Sequence, residues 1–409
     1  MSKNKVKINF SRTGGVGLPV AKITSQVSEK GVTGKFIPCS GDGVAIKTEN
    51  KYLETLAKIA ADSPTHGAAI KWKQRLTFGQ GFDLDALPDS LKIWANECNE
   101  NGDTLNDILE RVSWDWAIYE SLALVPWWAK GNRIAELRHV SFKNTRIGVP
   151  EDGVVPYYIV NNDWHKVLDG KLRIAELLYP FNPEKTKNPD DKEAGENAEQ
   201  LIYYTTYSPS SDGFYPVPSY AGGLDAALTE VDTIITMKNG ISNGINGAYV
   251  FTAKEGTVLD DDSKQKAIQE INDQSTGAEN SGTVMLLSVP LDFHKMDPID
   301  HEIYVTIDDK AVSKIVTAHN IPAILLEVTT SGGFNNRADE MQAAISQFQD
   351  TTILAYQQKI TRVFKKILSY VEPGLEFDLK IIPFALTKTA KENEVATKEN
   401  DGGDTNINS

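Results

Sequence analysis

Tyr304-Val-Thr-Ile-Asp-Asp-Lys-Ala-Val-Ser-Lys-Ile-Val-Thr-Ala-His-Asn-Ile-Pro-Ala-Ile-Leu-Leu326, then Thr329-Thr-Ser-Gly-Gly-Phe-Asn-Asn336, then an amphipathic run from Arg337 to Val371: this stretch decides the fold. The first part reads as a helix ending at His319-Asn320. Ile321-Pro322 stops it, because proline has no N–H and pushes the residue before it out of the helical region. Thr329 to Asn336 is a loop with too few apolar residues for a core of its own. From Arg337 the helical pattern resumes for roughly nine turns at 3.6 residues each. Met341, Ile345, Phe348, Thr352, Tyr356, Ile360, Val363, Ile367 and Val371 fall on one face, a stripe that buries against the rest of the protein. Lys359, Arg362, Lys365 and Lys366 gather near its end, where cations suit the helix dipole. Helix, loop, long helix suits a part that holds a loop out into open space.

The 409 residues exceed what one core usually organises, so two or three domains are expected. With 40% hydrophobic and 24% charged residues the chain reads as globular. No stretch approaches the ~20 apolar residues of a membrane span, so no membrane partner is expected. The basic start, Met1 to Lys7, precedes no apolar stretch, so no secretory signal is read. Cys39 and Cys98 alone build no disulfide framework and read as buried small hydrophobes. The net charge of −14 argues against a broad basic grip on nucleic acid. It still allows a surface that lets DNA pass without holding it.

Outward from the opening stretch, helices are expected at about 50–61, then from Ser63-Pro64 to Gly79, over Asp89 to Cys98, and from Asp103 or Thr104 through Tyr119. The pattern then turns to strands. Leu122 to Ala129 and Arg133 to Phe142 flank a Lys130-Gly-Asn132 turn; Val154 to Asn161, Leu172 to Leu178 and Gln200 to Tyr207 follow. Phe181 to Glu199 reads as a polar, disordered insertion. A helix from Ser219 to about Ile245, a strand at Gly247 to Ala253, a short helix at Lys264 to Asn272, and strands at Thr283 to Val289 and Leu291 to Met296 precede the opening stretch. Glu376 to Phe384 reads as a last strand.

Catalytic chemistry finds little support. Thr13-Gly-Gly-Val-Gly-Leu-Pro lacks the Gly-Lys-Ser/Thr ending of a phosphate loop and reads as flexible. No Gly-x-Ser-x-Gly elbow is present, and the six histidines form no pair at metal-binding spacing. Asp260, Asp261 and Asp262 lack the alternating ligands of a calcium loop; helix capping explains them. Trp114, Trp116, Trp127 and Trp128 sit around one helix-to-strand junction and read as core or subunit contact. No catalytic, metal or cofactor site is expected. The electrostatic signal is stronger. Residues 251–305 carry eleven acids, among them Asp260, Asp261, Asp262, Glu270, Asp292 and Asp297, against four bases, a net −7.

Several motifs in sequence then carry a resemblance. Ala69-Ile-Lys-Trp-Lys-Gln-Arg-Leu-Thr-Phe-Gly-Gln-Gly81 ends in a Gly-x-Gly turn. Asp115-Trp-Ala-Ile-Tyr-Glu-Ser-Leu-Ala-Leu-Val125 and Glu136-Leu-Arg-His-Val-Ser-Phe-Lys-Asn-Thr-Arg-Ile147 follow. Phe214-Tyr-Pro-Val-Pro-Ser-Tyr220 leads through a helix to Asn243-Gly-Ile-Asn-Gly-Ala248, and His319-Asn-Ile-Pro-Ala-Ile-Leu-Leu326 closes the set. In this order they resemble the portal proteins of long-tailed bacteriophages, over roughly residues 50–385. The segment Asp115 to Val125 matches the step where the family usually has a Tyr-Gly pair; Pro216 stands where glycine is usual, Ala323 replaces a second proline, and Asn243-Gly lacks the proline that often follows.

The resemblance implies an α+β portal fold: a mixed helix and sheet wing, two stem helices, a small α/β clip and a long wing helix. In this chain that assigns 1–218 to arm and wing, with 181–199 a flexible insertion, 219–245 to the first stem helix and 246–303 to the clip. It assigns 304–322 to the second stem helix, 323–337 to a tunnel loop, 338–386 to the long wing helix and last strand, and 387–409 to a disordered tail. The implied function is a ring of usually twelve subunits at one capsid vertex, a channel for packaging and ejecting double-stranded DNA without sequence specificity. Implied partners are terminase, a head-tail adaptor, the major capsid protein and scaffolding protein. The implied location is the virion, and the host cytoplasm during assembly. Ser331, Gly332, Gly333, Phe334, Asn335, Asn336 and Arg337 are the residues expected to face the channel, and the acids named above would form an outlet that repels polyanions. Alternative readings are another virion component, an adaptor or minor capsid protein, or an enzyme of unrecognised fold.

Overall fold

The computed structural model describes residues 26–29, 32–41, 48, 50–129, 131–164, 176–183, 199–209, 214–242, 249–253, 260–266, 269, 291–295, 301–326 and 337–385. Strands β1 (Gln26–Glu29) and β2 (Val32–Lys35) form an antiparallel pair. Helix α1 (Tyr52–Asp62) buries Tyr52, Leu53, Leu56 and Ile59. One residue later, Ser63 caps α2 (Pro64–Phe78), its side chain accepting from the His66 N–H. Gly79 ends α2 at φ +62, and a Cβ there would lie 2.2 Å from the Ile382 carbonyl oxygen, so both the turn and the close approach require glycine. Helix α3 (Asp89–Asn96) precedes α4 (Leu105–Tyr119), whose start is a capping box between Thr104 and Asp107. Of the two caps the sequence allowed, Thr104 is therefore the one used. Asp103 instead holds Arg111 through a paired ion contact at 2.7 and 2.8 Å.

A six-stranded mixed sheet follows. Its strands are β3 (Ser121–Ala129), β4 (Arg133–His139), β5 (Thr145–Ile147), β6 (Tyr158–Val160), β7 (Glu176–Pro180) and β8 (Gln200–Thr205), in the order β4-β3-β8-β7-β6-β5. Only the β7–β8 pair is parallel. The β3–β4 hairpin is present as expected, with an irregularity between Trp127 and Trp128. The strand expected at 154–161 is shorter, the one expected at 172–178 is seen from Glu176 with 172–175 outside the described residues, and Thr145–Ile147 is a strand the pattern did not show. Phe181 is no part of a disordered insertion: its N–H donates to the Leu201 carbonyl and its ring stacks on Trp128. The outer edge of β4 is closed by the α3–α4 region, through Trp94 Nε1 to the Ala135 carbonyl and Leu137 N–H to the Cys98 carbonyl. The outer edge of β5 pairs with Phe36 and Ile37. Both edges are thereby denied to another strand.

Successive residues of β3 point to opposite faces, and both faces are covered. Leu122 and Leu124 join a core with α2, α3, α4 and the C-terminal helices. Ala123 and Val125 join a second core with α1 and the first turns of α5 (Leu224–Ser242). Helix α5 starts five residues later than Ser219, after a 3-10 turn at Ala221–Gly223. Strands β9 (Tyr249–Ala253) and β10 (Leu291–Lys295) pair antiparallel. Helix α6 (His301–His319) begins three residues before Tyr304, so its first turn comes from the span read as clip. Ala323–Leu326 is a 3-10 turn with Leu325 buried, not open loop. The strand expected at 283–289 lies outside the described residues.

The long helix is interrupted. Helix α7 (Arg337–Phe348) passes through a π turn at Gln349–Ile353 into α8 (Leu354–Val371). The buried series is Ile345, Phe348, Ile353, Tyr356, Ile360, Phe364, Ile367, Leu368, Val371. Between Phe348 and Ile353 the step is five, wider than a regular helical turn. A π turn spans five, so it carries the apolar face across that gap. The stripe read from sequence placed Thr352 and Val363 on the buried line; Ile353 and Phe364 occupy it, and Thr352 and Val363 are half-buried beside it. Residues 376–384 form no strand: they hold one bridge, Phe82 to Ile381, flanked by hydrogen bonds to Gln80, Gly81 and Asp83. Cys39 and Cys98 are both buried, as expected. The tryptophans do not form one cluster. Trp116 is buried and stacks on Tyr204, while Trp127 is exposed beneath the Arg138 guanidinium, 5.0 Å from its centroid.

Candidate functional site

Helices α5 and α6 run side by side. A Cβ on Gly223, just ahead of α5, would stand 2.5 Å from the Ala318 Cβ, and Glu230 acts on Asp308 through charge. Rising numbers on one helix meet falling numbers on the other, so the pair is antiparallel. Among the residues whose burial is described, the buried ones lie at one end: Leu224, Ala226, Ala227, Glu230 and Thr233 on α5, Ala311, Ile315 and His319 on α6. Toward the other end Ile234, Ile235 and Met237 resemble Ile303, Val305 and Ile307 in being 38–55% exposed.

The buried end is fastened to the first turn of α2. Ser63 Oγ donates to Glu230 Oε2, Thr65 Oγ1 donates to Oε1 at 2.6 Å, and the Thr65 N–H reaches both oxygens at 3.3 Å. A carboxylate on a helix N-terminus satisfies orphan N–H groups and complements the dipole. Beside it, His66 Nδ1 meets His319 Nε2 at 2.8 Å, tying the end of α6 to α2. Tyr220 stacks on His319 with centroids 4.7 Å apart, and Lys73 Nζ lies 5.4 Å from the Tyr220 centroid. Burial, then the Lys73 charge, pulls the His66 imidazole down to about 4. The same two causes, followed by the His66 charge, hold His319 well below the ordinary histidine value. Burial lowers Lys73 to about 8, against the opposing pull of Glu120. His66 Nε2 and His319 Nδ1 have no hydrogen-bond partner. Asp308 is raised by burial, then by Glu230 and Asp309.

Glu120, the residue that ends α4, completes the junction. Its carboxylate Oε1 accepts from Ser219 Oγ and, at 3.0 Å, from the Tyr356 hydroxyl. Sequence reading brought none of these side chains together. His66 and His319 are 253 residues apart, and a lone histidine carries no signal of a distant partner.

The residues predicted from sequence fare differently. Asp260 caps the short helix described over 261–266, its Oδ1 accepting from the Ser263 N–H at 2.8 Å, and the bonds from Ser263 lower its carboxyl. Asp261 pairs with Lys264 at 2.9 Å, and Asp262 is exposed. Asp292 stands opposite Thr252 in the β9–β10 pair. Arg337 opens α7. Glu270, Asp297, Ser331, Gly332, Gly333, Phe334, Asn335 and Asn336 lie outside the described residues. Of the cations near the end of α8, Lys365 bonds Asp378 at 2.7 Å and Lys366 Nζ lies 5.4 Å from the Phe181 centroid. Among the described residues no three histidine, cysteine or acidic side chains gather to hold a metal.

The fold is similar to that of a chain in the virion of a native gene transfer agent particle: 17% identity, TM-score 0.51, covering 87% of this chain and 91% of that one. A chain from the neck of the native particle, computed with C12 symmetry, gives 16% identity and TM-score 0.49 over 89% and 93%. A portal protein of the HK97 family from Corynebacterium diphtheriae gives 12% and 0.46 over 78% and 93%. Among curated proteins none matches. The profile of the family described as phage portal protein matches residues 154–398, more than half of the chain and the whole α5–α6 pair with the long helix. By that match the chain belongs to the phage portal protein family.

Proposed function

We propose that this portal protein assembles as a closed ring, of the usual twelve copies, at one vertex of the capsid, and that double-stranded DNA is packaged and ejected through its centre. The supporting observation is the free end of the α5–α6 pair. Ile234, Ile235, Met237, Ile303, Val305 and Ile307 are large aliphatic side chains left in water by a single chain. Apolar surface gathered on a projecting element marks a contact with another molecule. A neighbouring copy of the same pair in a cyclic arrangement covers it. The pair is then the stem, β9–β10 belong to the clip, and the loop before Arg337 faces the channel.

In this reading the family's role is structural rather than enzymatic. DNA passes without sequence readout, because a wall of mostly one sign offers no deep trap, and at physiological salt only acids within about 8 Å of the strand act on it. Terminase and the head-tail adaptor dock at the ring, with capsid and scaffolding proteins around it. The assembled protein resides in the virion and in the host cytoplasm while the particle is built.

The ring is tested by Ile235→Glu combined with Val305→Glu. Negative-stain images and sedimentation of the purified double variant should show folded single chains in place of rings; rings of normal size would reject the stem contact. Replacing Ser331 to Asn336 with a shorter linker tests the channel loop. Loss of packaged DNA per particle is expected, and unchanged packaging would reject that assignment.

A further inference from the structure

Glu120 is out of place by every local rule. It ends α4 in the left-handed region at φ +51, where asparagine, aspartate or glycine is usual. Among the described residues, the other non-glycine ones at positive φ are three asparagines and one aspartate. It is buried, and carboxylates are almost never buried without partners. Its partners come from three separate parts of the chain. Ser219 Oγ, just ahead of α5, and the Tyr356 hydroxyl on α8 donate to the same oxygen, Oε1. Lys73 on α2 interacts with it through charge. Tyr356 is three residues beyond the π turn, on the face that packs into the core. The Ser219 hydroxyl also faces the Tyr356 hydroxyl.

We infer that Glu120 is a positioning residue that couples the root of the α5–α6 pair to the π turn of the long helix. Both donors close on one oxygen of a single side chain, so a shift of that carboxylate alters both bonds at once. Backbone strain at a buried, hydrogen-bonded site is the kind that persists only where the surroundings over-determine it. A glycine at 120 would suit the turn better, so the side chain is kept for what it holds. The π turn is the break in the long helix, and α7 runs back from it toward residue 337. Through Glu120, a displacement at Ser219 reaches the place where the long helix changes register.

Amide hydrogen exchange of the assembled full-length chain tests this at residues 349–357. Ser219→Ala is expected to speed exchange there at least tenfold, although those residues lie far along the chain. Glu120→Gly, which relieves the backbone, should speed the same amides. Adding Ser219→Ala to Glu120→Gly should then change nothing further. Glu120→Gln keeps an oxygen for both donors and should restore most of the protection. The inference fails if Ser219→Ala leaves 349–357 unchanged. It also fails if the serine effect survives in the glycine background, which would place the coupling in a direct contact of Ser219 with Tyr356.

Discussion

The two ends of the α5–α6 pair are built from the same helices and obey opposite rules. At the root the polar side chains are engaged with the rest of the fold. Glu230 caps α2, His319 meets His66, and Ser219 donates to Glu120. At the free end, side chains equally apolar to those of the root stand in water. What distinguishes them is that α1, α2 and the sheet surround one end, while among the described residues nothing covers the other. A helix pair of this kind is stable as a single chain at its root and depends on association at its tip.

The largest expected effect breaks the root. Ile315→Ala removes a fully buried side chain from the core shared by α1, α5 and α6 and should cost about 3 kcal/mol in denaturant unfolding. Acid should act almost as strongly. The unfolded chain binds a proton at His66 near 6.5, the folded chain only near 4. Between these values the unfolded state holds more protons, so stability falls as pH drops through that window, by about 3 kcal/mol in total. Unfolding measured from pH 7.5 to 4 should show this loss in the native chain. It should be smaller by at least that amount in His66→Leu combined with His319→Leu, because His319 is also held well below the ordinary histidine value. An equal acid loss in the double variant would remove the histidine contact from the account of the root.

Smaller effects sharpen the contrast. Ser63→Ala removes both the α2 cap and a donor to Glu230, and should cost about 1 kcal/mol. Val305→Ala at the free end should change the unfolding free energy of a single chain by less than about 0.5 kcal/mol. The same variant should weaken association, seen as a shift toward smaller species by sedimentation. If Val305→Ala instead costs as much as Ile315→Ala in the single chain, the two ends are not different after all.

Much of the helical order was legible. Ser63-Pro64 and Gly79 are local signals that start and end a helix where they were read to, and the start of α4 was narrowed to Asp103 or Thr104, of which the structure uses Thr104. The π turn was hidden because Thr352 sits one residue from Ile353, and a regular 3.6 period runs through either. The run at 376–384 alternates like a strand, yet pairs through a single bridge, because Gly79 and Gly81 turn the facing chain away. The acidic residues of 251–305 could be counted, while the polar cluster at Glu120, Lys73, His66 and His319 could not be found. Its members come from α2, the end of α4 and the end of α6, and none carries a local motif.

From sequence alone came the order of helices and strands, the caps, the likeness to portal proteins and the acidic run before α6. These depend on neighbours within a few residues, where spacing and side-chain type suffice. The tertiary structure decided which end of the helix pair is buried, where the long helix changes register, and which oxygen joins Ser219 to Tyr356. Those depend on contacts between residues far apart in the chain, and such contacts exist only once the sheet and helices have been packed together.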